Sequence, residues 1–250
     1  MGLANVRYLL PLAAMLLSIP IIPSPCSAQI RGRQSLPRFG VQASASTLGI
    51  GVEAATAVSS RSNARFGFHV FNFGLSQTKD GVTYDAKLNL RSVQATYDYY
   101  VFGGLHVSPG VLLYNGNKLT ATASVPGGQS FTLSGTNYIS DVNNPVTGTA
   151  RVGLGKKAAP MLLLGIGNLL PRSQRHFTVN FDFGVVFKES PEATLNLSGG
   201  ACDSGGQNCQ NVATTPIIQS NIQSEQVKLN DDLKFLKYYP VISLGVGWKF

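Results

Sequence analysis

The last twelve residues of the chain, YPVISLGVGWKF at 239–250, alternate between large apolar side chains and small or polar ones. Every second residue from Ile242 to Phe250 is large and apolar, while the intervening positions from Ser243 to Lys249 are serine, glycine or lysine. A period of two is that of a β-strand with two unlike faces. The same pattern recurs in RHFTVNFDFGVVFK at 175–188, with bulky residues at Phe177, Val179, Phe181, Phe183, Val185 and Phe187. Such a span matches the roughly 9–11 residues that a tilted strand needs to cross a bilayer.

Six further segments carry the pattern less regularly, and together the segments predict eight antiparallel strands. Short polar breaks such as SSRSN at 59–63 and KDG at 79–81 lie between them and are typical of turns. Within 64–75 the large apolar residues lie at even positions up to Val70 and at odd positions from Phe71 onward. This change predicts either a bulge or the crossing of a membrane boundary. The predicted strands are 41–58, 63–76, 83–99, 104–117, 147–157, 159–168, 175–188 and 239–250.

Two stretches do not fit the strand pattern. Residues 118–146 are rich in Gly, Ser, Thr and Asn and predict a long loop with a short hairpin around 122–133. Residues 189–237 form the longest insertion. Its last part, 221–237, predicts a short amphipathic helix, solvated and lying across one rim of the barrel. The apolar residues at near-helical spacing are Ile222, Leu229, Leu233 and Leu236.

The first 28 residues predict a cleaved secretory signal peptide. Arg7 supplies a positive charge, residues 8–22 an apolar core, and residues 26–28 a small-residue site for cleavage before Gln29. Prolines at 23 and 25 argue against a lipoprotein signal at the cysteine that follows them. The mature chain, 29–250, is predicted to be a single domain, and it has no second apolar run of the ~20 residues that a membrane helix needs.

The composition favours a membrane barrel. Charged residues make up 13% of the chain, against roughly 25% in soluble domains, and glycine is abundant at 27 residues. Lys and Arg outnumber Asp and Glu by 20 to 12. For an exported chain this excess argues against nucleic acid as a partner and favours the phosphate groups of lipid heads.

Removal of the signal peptide leaves two cysteines, Cys202 and Cys209, in the stretch GGACDSGGQNCQ. An even count in an oxidising compartment predicts a disulfide that closes a small loop. A metal site would need more His or Cys ligands than this loop offers, so we expect no metal.

The export signal, the alternating strands and the terminal WKF together resemble bacterial outer-membrane β-barrel proteins, particularly small eight-stranded ones of the OmpA/OmpW kind. The resemblance implies an all-β fold: an eight-stranded antiparallel up-and-down transmembrane β-barrel with a short amphipathic helix before the last strand. It also implies a monomer in the bacterial outer membrane, surrounded by lipids and lipopolysaccharide. The final strand, ending in Phe250, would be recognised by the outer-membrane barrel assembly machinery. Tyrosines near strand ends, such as Tyr97, Tyr99 and Tyr238, fit an aromatic girdle.

The predicted strand order has one consequence for topology. If Phe250 is periplasmic, the turns at 59–63, 100–103 and 156–160 face outside together with the 189–237 insertion. The 118–146 loop then lies in the periplasm, against the usual rule that periplasmic turns are short.

One pair of residues is similar to a catalytic motif. His106 and Ser108 lie two apart in a strand, as in the His-x-Ser of outer-membrane lipid A deacylases. A nucleophilic serine needs a base and a third group that orients the base, and the sequence assigns no acid to that role. Pro109 also stands where those enzymes carry asparagine. We therefore expect both residues to be polar filling of the lumen.

Two other motifs predict structure rather than chemistry. Gly165 and Gly167 mimic the start of a dinucleotide-binding fingerprint, but the third glycine and the following helix are missing. We expect these glycines to relieve crowding inside a small barrel. Lys156 and Lys157 are predicted to lie in a turn at a strand end.

Several charged residues alternate with the large apolar residues of the predicted strands and would therefore face the lumen. They predict ion pairs that fill it, because an eight-stranded barrel is normally packed by its own side chains. The residues are Glu53, Asp98, Asp182, Lys87, Arg91, Arg151 and Lys249. No catalytic, cofactor-binding or metal-binding residue is predicted. The expected function is non-enzymatic: structure, surface interaction or passage of small apolar solutes. The alternatives are a lipid A-modifying hydrolase on the same scaffold and a soluble periplasmic lipid carrier of the lipocalin type.

Overall fold

The computed structural model describes residues 39–79, 81–155 and 158–250. The predicted signal peptide, 1–28, and the pair Lys156 and Lys157 lie outside these residues. No helix in the described ranges is both long enough and apolar enough to cross a membrane. The elements in chain order are β1 (Gly40–Ser46), β2 (Gly49–Ser59), β3 (Ser62–Lys79), β4 (Val82–Phe102), β5 (Leu105–Asn115), β6 (Lys118–Val125), β7 (Ser130–Leu133), β8 (Thr136–Ser140), β9 (Val146–Gly153), β10 (Ala159–Ile166), β11 (Phe177–Phe187), β12 (Glu192–Ser198), β13 (Gly200–Cys202), β14 (Gln210–Asn211), α1 (Pro216–Asp232), a 3-10 helix (Lys234–Lys237) and β15 (Tyr238–Lys249).

Eight of these strands close into a ring. Neighbours pair antiparallel in the order β4, β3, β2, β1, β15, β11, β10, β5, and the second half of β4 pairs with β5 to complete the circle. The first and last strands of the ring lie side by side, from Gly40 opposite Lys249 to Ser46 opposite Ser243. The predicted fold class, an all-β antiparallel barrel with one helix before the final strand, is confirmed.

The eight strands of the ring are not the eight that the pattern predicts. The predicted strand 41–58 is the hairpin β1–β2, whose turn contains Leu48. This leucine is 1% exposed, because it packs inside the ring as part of an apolar cluster, so its hydrophobicity hides the turn in the sequence. The predicted strand 147–157 corresponds to β9, which lies outside the ring. One predicted strand is thus two strands of the ring and another is none, so the number of ring strands is still eight.

The strands β3 and β4 run beyond the ring and begin a second region, which we call the extension (residues 71–79, 81–91, 118–153 and 188–237). Here the first half of β4 pairs with β6, and β9 and β12 follow. The prediction of a long loop at 118–146 is therefore wrong: its Thr- and Ala-rich start forms β6 because β4 and β9 flank it. The short hairpin in this region is β7–β8, at 130–140.

The predicted helix is present, but it begins earlier, at Pro216, and it lies along the edge of the extension rather than across a rim of the ring. Its side chains cover the outer edge of β12: Asn230 Oδ1 accepts the backbone N–H of Ala193 at 2.7 Å, and Gln226 Oε1 accepts that of Leu195 at 3.0 Å. A strand edge protected in this way cannot pair with another chain. One face of the extension is covered by a cluster of Val82, Val125, Leu133, Val146, Ala201, Val212, Ile218 and Ile222.

The predicted disulfide between Cys202 and Cys209 is confirmed. The loop that it closes is held by Asp203, whose carboxylate accepts the backbone N–H of Gln207 at 2.8 Å and the side-chain amide of Asn208 at 2.9 Å. These hydrogen bonds to the charged form lower the pKa of Asp203.

The two ends of the ring carry different structures. At one end of the barrel, which we call the terminal end, the side chain of Phe39 stacks on that of Phe250, and the centroids of the two aromatic rings are 6.0 Å apart. The antiparallel order places the short turns after β2 and β4 at this end, and the β1–β2 hairpin and the extension at the opposite, loop end. The predicted placement of these turns and of 118–146 relative to Phe250 is therefore wrong, because the predicted strand 147–157 is β9, which lies outside the ring and does not add a crossing between β5 and β10.

An apolar belt surrounds the ring. The bulky row of β11 points outward, and Phe177, Val179, Phe181, Phe183 and Phe187 are each 42–60% exposed. The neighbouring row of β15 lies beside it, with Phe181 opposite Leu244. On β3 the outward residues change from apolar to polar after Val70, although the pairing of β3 with β4 runs through 62–79 without a shift. The change of parity at this point is thus a boundary of the belt, and no bulge is involved.

Candidate functional site

Arg65 lies at the centre of a buried ion cluster inside the ring. Its Nη1 donates to Glu53 Oε2 at 3.1 Å and to Asp182 Oδ2 at 2.7 Å, and its Nη2 donates to Asp98 Oδ1 at 3.1 Å. All four side chains are at most 3% exposed. They come from β2, β3, β4 and β11, so one guanidinium joins four of the eight strands.

Two histidines complete the cluster. His106 Nε2 lies 2.8 Å from Asp182 Oδ1, and its Nδ1 lies 3.0 Å from the carbonyl oxygen of Gly104. Both ring nitrogens thus face acceptors, which is the arrangement of a doubly protonated imidazolium. His69 Nε2 lies 3.0 Å from Ser44 Oγ and 3.2 Å from Glu53 Oε1.

Amide side chains connect this cluster to the wall. Gln42 Nε2 donates to Glu53 Oε2 at 3.0 Å, while its Oε1 accepts from Asn180 Nδ2 at 2.7 Å. Towards the terminal end, Asn63 Nδ2 donates to the hydroxyl of Tyr100 at 3.0 Å. Because buried polar groups need partners, such a network favours one arrangement of the eight strands over others.

Both ends of the lumen are closed by side chains. At the loop end an apolar layer contains Leu48, Leu112, Ala159, Met161, Leu163, Val186 and Val241. At the terminal end the loop 167–176 folds across the ring, where Leu169 and Leu170 pack on Ala55. Arg172 fixes this loop through the carbonyl oxygens of Ser59 and Leu170, at 2.6 and 2.7 Å.

The structure assigns the predicted ion-pair residues to two places. Glu53, Asp98 and Asp182 lie in the lumen as predicted. Lys249 is also buried there, but its Nζ donates to the carbonyl oxygens of Pro171 and Ser173 rather than to an acid. The prediction is wrong for three cations, which are exposed on the outward face of the extension because their strands have left the ring: Lys87, Arg91 and Arg151.

The sequence prediction missed Arg65 and His69, the basic partners of the buried acids. The sequence does contain a signal for these two residues. Arg65 and His69 alternate along β3 with Phe66, Phe68 and Val70, whose side chains point outward. The outward row in a membrane barrel identifies the inward row as well, so basic residues at these positions are candidates for the lumen.

The contacts of His106 argue against hydrolase chemistry. A general base must have a free ring nitrogen to accept the proton of serine, and both nitrogens of His106 face oxygen atoms of Asp182 and Gly104. Ser108 Oγ is buried and has no hydrogen-bond partner among the described residues. Both residues are buried inside the ring, where the sequence placed them.

Gly165 makes room for the contact between His106 and Asp182, which agrees with the predicted role of this glycine. Gly165→Ala is expected to lower the free energy of unfolding by about 1–3 kcal/mol. The added carbon would lie closer than 3.0 Å to Asp182 Oδ1 and to His106 Nε2. Urea titration of the folded fraction in detergent measures the effect. The control is Gly153→Ala in β9, where an added carbon meets nothing within 4 Å; equal losses in both variants would contradict the explanation.

The apolar outer belt, the charged interior and the closed ring together define the class of protein: a small β-barrel with its polarity inverted relative to soluble barrels. In fold the chain is similar to the crystal structure of Acinetobacter baumannii CarO, with a TM-score of 0.57, 20% identity, and coverage of 88% of this chain and 100% of that chain. It is equally similar to Acinetobacter baumannii CarO2, with a TM-score of 0.57, 18% identity, and coverage of 86% and 100%. At these identities the likeness establishes the fold alone, and the narrower OmpA/OmpW resemblance is not confirmed. No protein-family model and no curated protein sequence matches the chain.

Proposed function

We propose that this chain is a bacterial outer-membrane β-barrel protein with a structural and surface-interaction role and no catalytic activity. The observation that carries the proposal is the inverted polarity of the ring, with Phe-rich rows outside and the ions around Arg65 inside. Rows of this kind are stable where hydrocarbon covers them. Export by the signal peptide 1–28 and folding by the assembly machinery, through the strand ending in Phe250, belong to the same proposal.

The same polarity argues against a soluble lipid carrier. A lipocalin-type barrel holds its ligand in an apolar cavity and presents polar side chains to water. Here the middle of the lumen is filled by Arg65, its three carboxylate partners and two histidines. The filled lumen also makes a structural role better supported than the passage of solutes.

We further propose that the terminal end is periplasmic and that the loop end faces outside. The turns at the terminal end after β2 and β4 contain two residues each, 60–61 and 103–104. Short turns are typical of the periplasmic side of such barrels and long insertions of the outer side. The extension would then stand on the cell surface.

The proposal predicts a detergent-dependent, heat-modifiable monomer that does not conduct. The expressed chain should appear in the sarkosyl-insoluble membrane fraction, and the purified protein should migrate differently on gels before and after boiling. In planar bilayers it should give no conductance steps, because side chains close the lumen at both ends. Folded, monomeric protein in plain buffer would contradict the membrane location, and regular conductance steps would contradict the closed lumen.

A further inference from the structure

The outward surface changes its chemistry abruptly where β3 and β4 leave the ring. On the ring side of this boundary the outward residues of β3 are apolar and include Phe66, Phe68 and Val70. Val70 pairs with Arg91 on β4, and from this pair onward the outward row of β3 is Asn72, Gly74, Ser76 and Thr78. The outward face of the extension therefore begins at the edge of the apolar belt and continues the same surface.

Four cations gather on this outward face, on three neighbouring strands. We call Lys87, Arg91, Lys118 and Arg151 the cation patch. Lys118 lies opposite Asn89, midway between Lys87 and Arg91 on β4. On its other side Lys118 lies opposite Gly153, two residues from Arg151. Diagonal neighbours in a sheet are roughly 7–8 Å apart, so Lys118 has three cations within reach of one multiply charged ligand.

The patch has no counter-charge of its own in contact. All four side chains are exposed, and no salt bridge or side-chain hydrogen bond involves them among the described residues. Two carboxylates adjoin the patch: Asp85 lies two residues from Lys87 on β4, and Glu192 lies diagonally opposite Arg151 on β12. Four basic and two acidic residues leave the face a net charge of +2. Like charges this close repel one another, and a bound anion would offset that repulsion.

We propose that the cation patch binds the phosphorylated head group of a glycolipid in the outer leaflet. The inference rests on the proposed outer-membrane location, because there the surface directly beyond an apolar belt meets the head-group layer. Arg91 and Arg151 can form bidentate hydrogen bonds with phosphate, while Lys87 and Lys118 add point charges. Threonine and asparagine between them, at Thr120 and Asn89, supply further donors for the sugar and phosphate oxygens.

The position of the patch favours a lipid over an acidic protein segment. A protein partner would be expected to dock where apolar anchors surround the charges. The outward face of the extension instead carries only polar or small side chains around the cations, such as Thr122, Thr149, Thr194 and Asn196.

The test compares binding of bisphosphorylated lipid A to the folded, detergent-solubilised full chain and to a four-cation variant, by native mass spectrometry. The variant is Lys87→Gln, Arg91→Gln, Lys118→Gln and Arg151→Gln. We expect its affinity to fall by about tenfold or more, since several charge-assisted contacts are lost together. We also expect weaker binding of monophosphorylated lipid A to the native chain, and no comparable binding of inorganic pyrophosphate, which lacks acyl chains.

The control variant removes the same number of exposed charges elsewhere: Arg61→Gln, Lys79→Gln, Arg175→Gln and Lys228→Gln. It should bind lipid A as the native chain does. A heat-modifiable four-cation variant that binds as tightly as the native chain would overturn the inference and leave the proposed function intact. Pyrophosphate binding equal to that of lipid A, or tighter patch-dependent binding of polyglutamate, would overturn the lipid assignment. A native chain that is folded and monomeric without detergent would contradict both the proposed function and this inference.

Discussion

Replacement of Arg65 by methionine is expected to lower the free energy of unfolding of the barrel by about 3–5 kcal/mol. The long apolar side chain keeps much of the volume of arginine, but it leaves Glu53, Asp98 and Asp182 without the guanidinium that joins them. Three carboxylates would then lie buried in the lumen without the cation that they share. Urea titration in a fixed detergent, followed by the folded band on unheated gels, measures the loss.

Two further variants separate the role of charge from that of geometry. Arg65→Lys keeps the positive charge but cannot bridge three carboxylates with a planar fork, so we expect a loss between those of the native chain and Arg65→Met. Arg91→Met removes an exposed arginine of the next strand, and its effect should stay within about 0.5 kcal/mol. An Arg65→Met barrel that unfolds at the same urea concentration as the native chain would show that the cluster does not hold the strands together.

A charge introduced into the apolar belt is expected to have the second-largest effect. Phe181 lies near the middle of β11 and is 43% exposed on the outward face, opposite Leu244 of β15. Phe181→Arg should lower the stability of the barrel in lipid by about 2–4 kcal/mol, the cost of placing a cation near the midplane of a bilayer. Unfolding by urea in phospholipid vesicles measures this cost.

The control for this variant is an arginine on the same outward surface beyond the boundary. Ser76 lies on the polar row of β3 in the extension, and Ser76→Arg should change the stability by no more than about 0.5 kcal/mol. Phe181→Leu removes the aromatic ring without adding charge and should cost less than Phe181→Arg. If both arginine variants are equally stable, hydrocarbon does not cover the Phe-rich row, and the proposed membrane location is wrong.

The apolar belt and the ion cluster stabilise the barrel in different ways. The belt requires only that outward residues be apolar, so many sequences satisfy it. The cluster requires one guanidinium to reach acids from three other strands, which fixes how these strands are ordered and aligned. For this reason we expect substitutions in the cluster to be the more damaging of the two.

The sequence by itself determined the features that depend on local pattern. Alternation along 175–188 and 239–250 identifies strands and separates their two faces, because side chains in a strand point to opposite sides in turn. The disulfide between Cys202 and Cys209 and the helix before β15 also follow from short stretches of the chain. So does the role of Gly165, since a residue without a side chain on the inward row indicates a crowded lumen.

The tertiary structure alone decided which strands close the ring, because strand pairing joins residues far apart in the sequence. Leu48 looks like part of a continuous strand until the ring shows that it packs inside the barrel at a turn. β9 has the alternation of a barrel strand, yet its neighbours β6 and β12 place it in the extension. The same pairings put Asp182 beside Arg65 and take Arg151 away from both. A period of two shows that a strand has two faces, but only its neighbours determine whether those faces meet lipid, lumen or water.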